Sequence, residues 1–216
     1  MAESSSDDDQ NEEVNHFQQS ITRSLGNFSR YIRVTGAHKI IRRYFAMNAF
    51  DGAMTSLGVV IGAYISNISD PRSIIGVIIT SGIAMMVSGF SGTYMTESAE
   101  RTHSLNELED AMLIDLQDTI YGRASKFVTI FAAFVDGSAP FLASIPSVIP
   151  FALVPTLLYY RTAYIISMGA SLFTLFILGI YLGKVSGENI WVSGVKMVVS
   201  GIAVALIALL LGAEGH

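Results

Sequence analysis

Two aspartates interrupt long apolar stretches of this 216-residue chain. Asp51 sits within YFAMNAFDGAMTSLGVVIGAYIS, residues 44–66, with Asn48 one helical turn before it and Thr55 one turn after. Asp136 follows the start of a later apolar run at Phe127. A charged side chain in the bilayer interior costs at least about 2.5–3.5 kcal/mol on insertion scales, so it faces protein or water and has a task. At 1.5 Å per residue, Asp51 lies about 10 Å past Tyr44, and Asp136 roughly 14 Å past Phe127. Met86, on a span running the other way, lies roughly 14 Å from Met95 by the same rise. These depths predict that two carboxylates and a thioether converge at one level. Carboxylate oxygen with soft sulfur suits a first-row transition metal better than Mg²⁺ or Ca²⁺, which want oxygen alone. Plainer roles fit the same residues: Asp51 as a hydrogen-bond anchor between helices, and Met54, Met85 and Met86 as packing.

A second constellation follows in YMTESAERTHSLNELEDAMLIDLQDTIYG. Glu97, Glu100, His103, Glu107 and Asp110 are spaced three, three, four and three, which places five candidate metal ligands along one side of a helix leaving the membrane. Glu100 and His103 have the i, i+3 spacing of di-metal carboxylate proteins, though only in one copy. Such a row at a membrane exit would concentrate cations. A solvated charged face reads the same way.

The elements that position these groups are membrane helices. Hydrophobic residues make up 51% and charged residues only 14%, below the ~25% of soluble domains. Five apolar runs of spanning length are expected at about 44–66, 74–95, 127–158, 163–183 and 191–211. The fold class is therefore an all-α membrane protein, residues 44–212, with a short helical extension of the second span to about residue 118. The third run carries Pro140, Pro146, Pro150 and Pro155, which predicts a kinked or broken span entering an outer loop. Residues 1–20 read as a disordered acidic tail, and residues 21–43 as a basic juxtamembrane flank or surface helix. Asn48, Asp51, Thr55, Gly58 and Gly62 share one helical face, and the GxxxG pair would admit a close helix neighbour.

Lys and Arg cluster before the first span, after the second and before the fifth, which predicts a cytoplasmic N-terminus and an extracytoplasmic C-terminus. The first twenty residues lack the apolar core of a signal peptide. With the short chain, this favours a cell membrane over a vacuolar one. A weak repeat relates Asp51-Gly52 to Asp136-Gly137, and Gly82, Gly92 and Tyr94 to Gly169, Gly179 and Tyr181. Spans one–two and three–four would then be parallel copies, a transporter symmetry, with a fifth helix added. The glycines and tyrosines of ordinary spans also give such matches by chance.

At these residues the chain resembles the vacuolar iron transporter family. The segments are Asp51-Gly52 followed by TSLGVVIGAY, then SGIAMMVSGFSGTYMTESAE, and VSGVKMVVSGIAVALIALLLGA near the end. The resemblance covers about residues 44 to 212. It implies five spans, a homodimer with the ion path between protomers, and export of Fe²⁺ or Mn²⁺ from the cytosol against protons. It carries Asp51 over as the pore carboxylate and Met86 as the pore thioether. Many members have a Glu two helical turns before that Met, where this chain has Ile78. Better-known members also carry a longer cytoplasmic helical insert than residues 96–126 offer.

A divalent-metal transporter is thus the leading expectation, with the metal as transported ion and no permanently bound cofactor. Protons, the lipid bilayer and a second copy are the expected partners, and no nucleic acid. A transporter of another substrate, or a membrane interaction protein without transport, are the alternatives. An enzyme is disfavoured: the sequence has no cysteine, no Ser/His/Asp set, no H-E-x-x-H and no P-loop.

Overall fold

A computed structural model describes residue 32 and residues 36–117, 119–154 and 156–213. The acidic tail, most of the basic flank and Pro155 lie outside the described residues. The described residues form five long helices: α1 His38–Ile65, α2 Pro71–Met112, α3 Ile120–Ala152, α4 Tyr160–Ser186 and α5 Ile190–Ala213. Each is long and apolar enough to cross a membrane. The chain is an all-α, five-span membrane protein.

Three boundaries differ from expectation. α1 begins at His38, so Lys39, Arg42 and Arg43 occupy its first turns. Basic side chains do not stop a helix, and their long stems reach the interface from it. α2 runs unbroken through Tyr94 and Glu107, as the acidic spacing predicted, but ends at Met112 where Leu113 turns left-handed (φ 54°). Its 42 residues span about 63 Å, twice a hydrocarbon core, so one end projects well beyond the membrane. The third run is not broken: α3 is helical from Ile120 through Ala152 with Pro140, Pro146 and Pro150 inside it.

Serine hydroxyls bind backbone carbonyls and one another between those prolines. Ser144 donates to the Phe141 carbonyl at 2.8 Å, and Ser167 of α4 donates to the Ser147 carbonyl at 2.6 Å. Ser147 Oγ also bridges Ser56 of α1 (3.0 Å) and Ser171 of α4 (2.7 Å). This buried hydroxyl chain ties α1, α3 and α4 where no hydrophobic force favours helix over lipid.

α3 is the hub. α1 and α2 touch each other directly, but far less than each touches α3. Glycines set the two α3 contacts. A Cβ on Gly52 would stand 2.6 Å from the Pro140 carbonyl carbon, and one on Gly137 2.6 Å from the Met86 carbonyl oxygen. Both glycines of the paired Asp-Gly motifs therefore mark a close helix crossing. One apolar cluster joins Ala49, Ala53 and Leu57 of α1 to Ala139 of α3 and Leu175 of α4. A second packs Val60, Ile74 and Ile78 against Phe151 and Tyr164.

Candidate functional site

The polar residues of α1 recur at 44, 48, 51 and 55, a helical stripe that runs down the helix from its basic end. Two of them reach across to buried carboxylates. The Asn48 amide donates to Asp136 Oδ1, and the Thr93 hydroxyl of α2 donates to Asp136 Oδ2 at 2.6 Å. Asp136 is 4% exposed, so α3 holds a carboxylate whose two oxygens clamp α1 and α2. Such charge-assisted hydrogen bonds are the stronger kind. Asp51 lies one turn along α1 from Asn48.

Nearer the basic end of α1, Tyr44 donates its hydroxyl to Glu97 Oε1 at 2.9 Å, and Arg101 Nε donates to Glu97 Oε2 at 2.9 Å. Glu97 is 7% exposed. The stripe Gly89–Thr93–Glu97, spaced by four, carries these contacts along α2. Gly89 belongs to it for a steric reason: a Cβ there would crowd Asp136 Oδ2 at 3.3 Å.

The predicted ligands therefore separate into groups. Asp136 and Glu97 are buried among α1, α2 and α3, while Asp51 is exposed on α1. Glu100, His103, Glu107 and Asp110 are solvent-exposed on the projecting part of α2, where His103 and Glu107 lie 3.5 Å apart. At about 100° per residue the acidic row drifts round the helix, so Glu97 turns inward while the later members turn out. Among the described residues no three His, Asp or Glu side chains gather as a closed metal site.

Met86 is at the expected level, since its carbonyl abuts Gly137 beside Asp136. Its side chain goes elsewhere. It lines an apolar cavity of about 240 Å³ with Val87, Phe90, Phe134 and Ser138. Phe134 and Ser138 are two residues either side of Asp136 on α3, hence on its opposite face. Within one protomer the thioether and the carboxylates are on different sides of α3. Ile78 is 1% exposed in the apolar cluster with Phe151 and Tyr164, a packing position.

Tyr44, Thr93 and Arg101 complete the site and were not singled out by type or spacing. The available signal was the four-residue stripe ending at Glu97.

On the outer side of α1, Asp51 and Thr55 are exposed in the single chain. Gly58 and Gly62 continue that direction, and a Cβ on either would meet nothing within 4 Å. The GxxxG pair is not used by any described helix of the same chain.

Comparison with known sequences gives two findings. The model of the VIT family matches residues 111–213, which contain Asp136 and helices α3 to α5. An uncharacterised protein of Methanocaldococcus jannaschii is 32% identical over 172 residues, covering 78% of this chain and 87% of the relative.

Proposed function

The chain belongs to the VIT family, the vacuolar iron transporters, a family of membrane transporters of metal ions; from that premise we propose that it exports a divalent transition metal, Fe²⁺ or Mn²⁺, from the cytosol in exchange for protons. The observation that carries the reading is Asp51. It is exposed in the single chain yet lies in a membrane span. Lipid is the costly environment for it, by at least about 2.5–3.5 kcal/mol. A second protomer packed on the α1 face of Asp51, Thr55, Gly58 and Gly62 would remove it from lipid. It would also leave two such carboxylates along one interfacial path.

In this proposal the ion enters past the acidic row Glu100, His103, Glu107 and Asp110, which raises its local concentration. It then passes Glu97 and reaches Asp51, with Asp136 close behind. A ligating carboxylate must be ionised, so metal binding releases any proton held there, and return protonation resets it. Asn48 and Thr93 hold Asp136 in place during this exchange. Met86 is set apart from these carboxylates within the protomer, and the proposed path does not use it. The cytoplasmic side is the end rich in Lys39, Arg42, Arg43, Arg123 and Lys126.

The test is uptake of Fe²⁺, Mn²⁺ and Zn²⁺ into proteoliposomes carrying an internal pH probe. Metal accumulation with a matching pH change is expected. Uptake of no metal above protein-free vesicles would refute the proposal.

A further inference from the structure

At the basic end of the bundle a cavity of about 280 Å³ opens between α1, α4 and α5. Its upper wall is Lys39, Arg42 and Arg43, and no Asp or Glu lines it. Its lower wall is apolar, with Met47 and Phe50 of α1 facing Leu182 of α4. Lys39 and Phe50 are eleven residues apart on one helix, about 16 Å along its axis. One pocket thus joins an uncompensated cationic rim to a wall at hydrocarbon depth.

A basic flank that only orients the first span would leave its side chains in water. Arg42 does not fit that role. Its Nε is buried and has no hydrogen-bond partner among the described residues. Arg42 is half-buried and lines the cavity, which places its guanidinium charge beside the cavity without an acidic partner in the lining. Met47, 59% exposed, likewise has no protein neighbour over most of its surface.

We infer that this cavity is a binding site for an anionic phospholipid, whose phosphate sits between Lys39, Arg42 and Arg43 and whose acyl chain lies along Met47, Phe50 and Leu182. The charge and the depth both enter the choice. A soluble anion would satisfy the rim and leave the apolar wall bare. A zwitterionic lipid would cover the wall but bring its own cation to the rim. Arginine forks match phosphate oxygens in pairs, and basic pockets between membrane helices are a recurring headgroup site. The inference is independent of the transport proposal, since it uses neither Asp51 nor Asp136.

The experiment uses the full chain purified in an uncharged detergent, with binding read by native mass spectrometry and by thermal midpoint. Phosphatidylglycerol, phosphatidylcholine with the same chains, and glycerol phosphate are the probes. Phosphatidylglycerol alone should stay bound and raise the midpoint. Lys39→Gln with Arg43→Gln, both exposed, should weaken it about fivefold per charge removed. Arg42→Gln should weaken it further, while Arg123→Gln, a basic residue outside the cavity, should leave it unchanged. Equal effects of phosphatidylcholine would overturn the inference, as would an equal shift with glycerol phosphate, which would assign the rim to free phosphate. Wild-type affinity in the Lys39/Arg43 double variant would overturn it too. Neutralising the tail by Asp7→Asn, Asp8→Asn and Asp9→Asn should change nothing. A tenfold gain in lipid affinity there would assign the cavity to the chain's own acidic segment instead.

Discussion

Thr93→Val removes one hydroxyl from the centre of the bundle and leaves the shape nearly unchanged. The Thr93 hydroxyl is the donor to Asp136 Oδ2 at 2.6 Å, and both side chains are buried. A hydrogen bond to a charged group is worth about 1.5–3 kcal/mol, and water cannot replace this one. No cavity forms, so that loss is the whole expected effect. For a chain of this size 1 kcal/mol moves the thermal midpoint by about 2–4 °C, which gives a fall of roughly 3–12 °C. Thr93→Ser keeps the donor and should stay close to wild type. Asn48→Ala removes the other donor to the same carboxylate, so the two losses should couple by about 0.5–3 kcal/mol instead of adding. In an Asp136→Asn background the Thr93→Val cost should shrink to the 0.5–1.5 kcal/mol typical of a neutral bond. Thermal unfolding of the detergent-purified variants measures all of these. A Thr93→Val midpoint within 1 °C of wild type, or an equal cost in both backgrounds, would refute the clamp.

Three further outcomes follow from the packing and the caps. Gly52→Ala should cost about 1–3 kcal/mol or more, because the added carbon meets the Pro140 backbone, which cannot rotate away; the midpoint and the monodisperse yield check this. Met86→Leu should leave uptake of every metal near wild type, since the side chain lines an apolar cavity apart from the carboxylates; a metal-selective loss would put sulfur back in the path. Asp70 caps α2 by accepting from Arg72 and Ser73, and the Ser73 hydroxyl, ahead of the backbone amides, holds its carboxyl below the usual carboxylate range. A depressed folded value gives stability that is complete above the unfolded pKa of about 3.9 and is lost as pH falls through the folded value. Asp70→Asn keeps a capping oxygen, so its midpoint should lie below wild type at pH 6 and converge with it in acid.

The five spans were legible because length and hydropathy are direct constraints on a helix in lipid. The acidic spacing after Tyr94 correctly indicated a helix that continues out of the membrane. What touches what was not legible. In spans that are apolar all round, periodicity does not say which face meets protein, so the sequence did not show that α3 makes the larger contacts with both α1 and α2. The same ambiguity hid that Met86 lines a separate cavity within one protomer: one residue is about 100° of rotation, and depth alone cannot resolve it. The α3 prolines read as a kink or a break, yet the helix continues through them, because proline in a membrane span removes one hydrogen bond without ending the helix. Asp136 was legible as a carboxylate with a task, but its donors Asn48 and Thr93 come from helices 88 and 43 residues away in sequence.

The central claim is that Asp51 binds the transported ion, and Asp51→Asn in the proteoliposome assay tests it most directly. Asparagine keeps the size and much of the hydrogen bonding but loses the charge. It is a poorer metal ligand and cannot exchange a proton. If Asp51 were only a packing anchor, the variant would fold at least as well and transport normally, because removing a charge from a membrane span is favourable. The account predicts an unchanged or raised thermal midpoint together with loss of most metal uptake and of the coupled internal pH change. Near-normal uptake of Fe²⁺, Mn²⁺ and Zn²⁺ by a well-folded Asp51→Asn would contradict it.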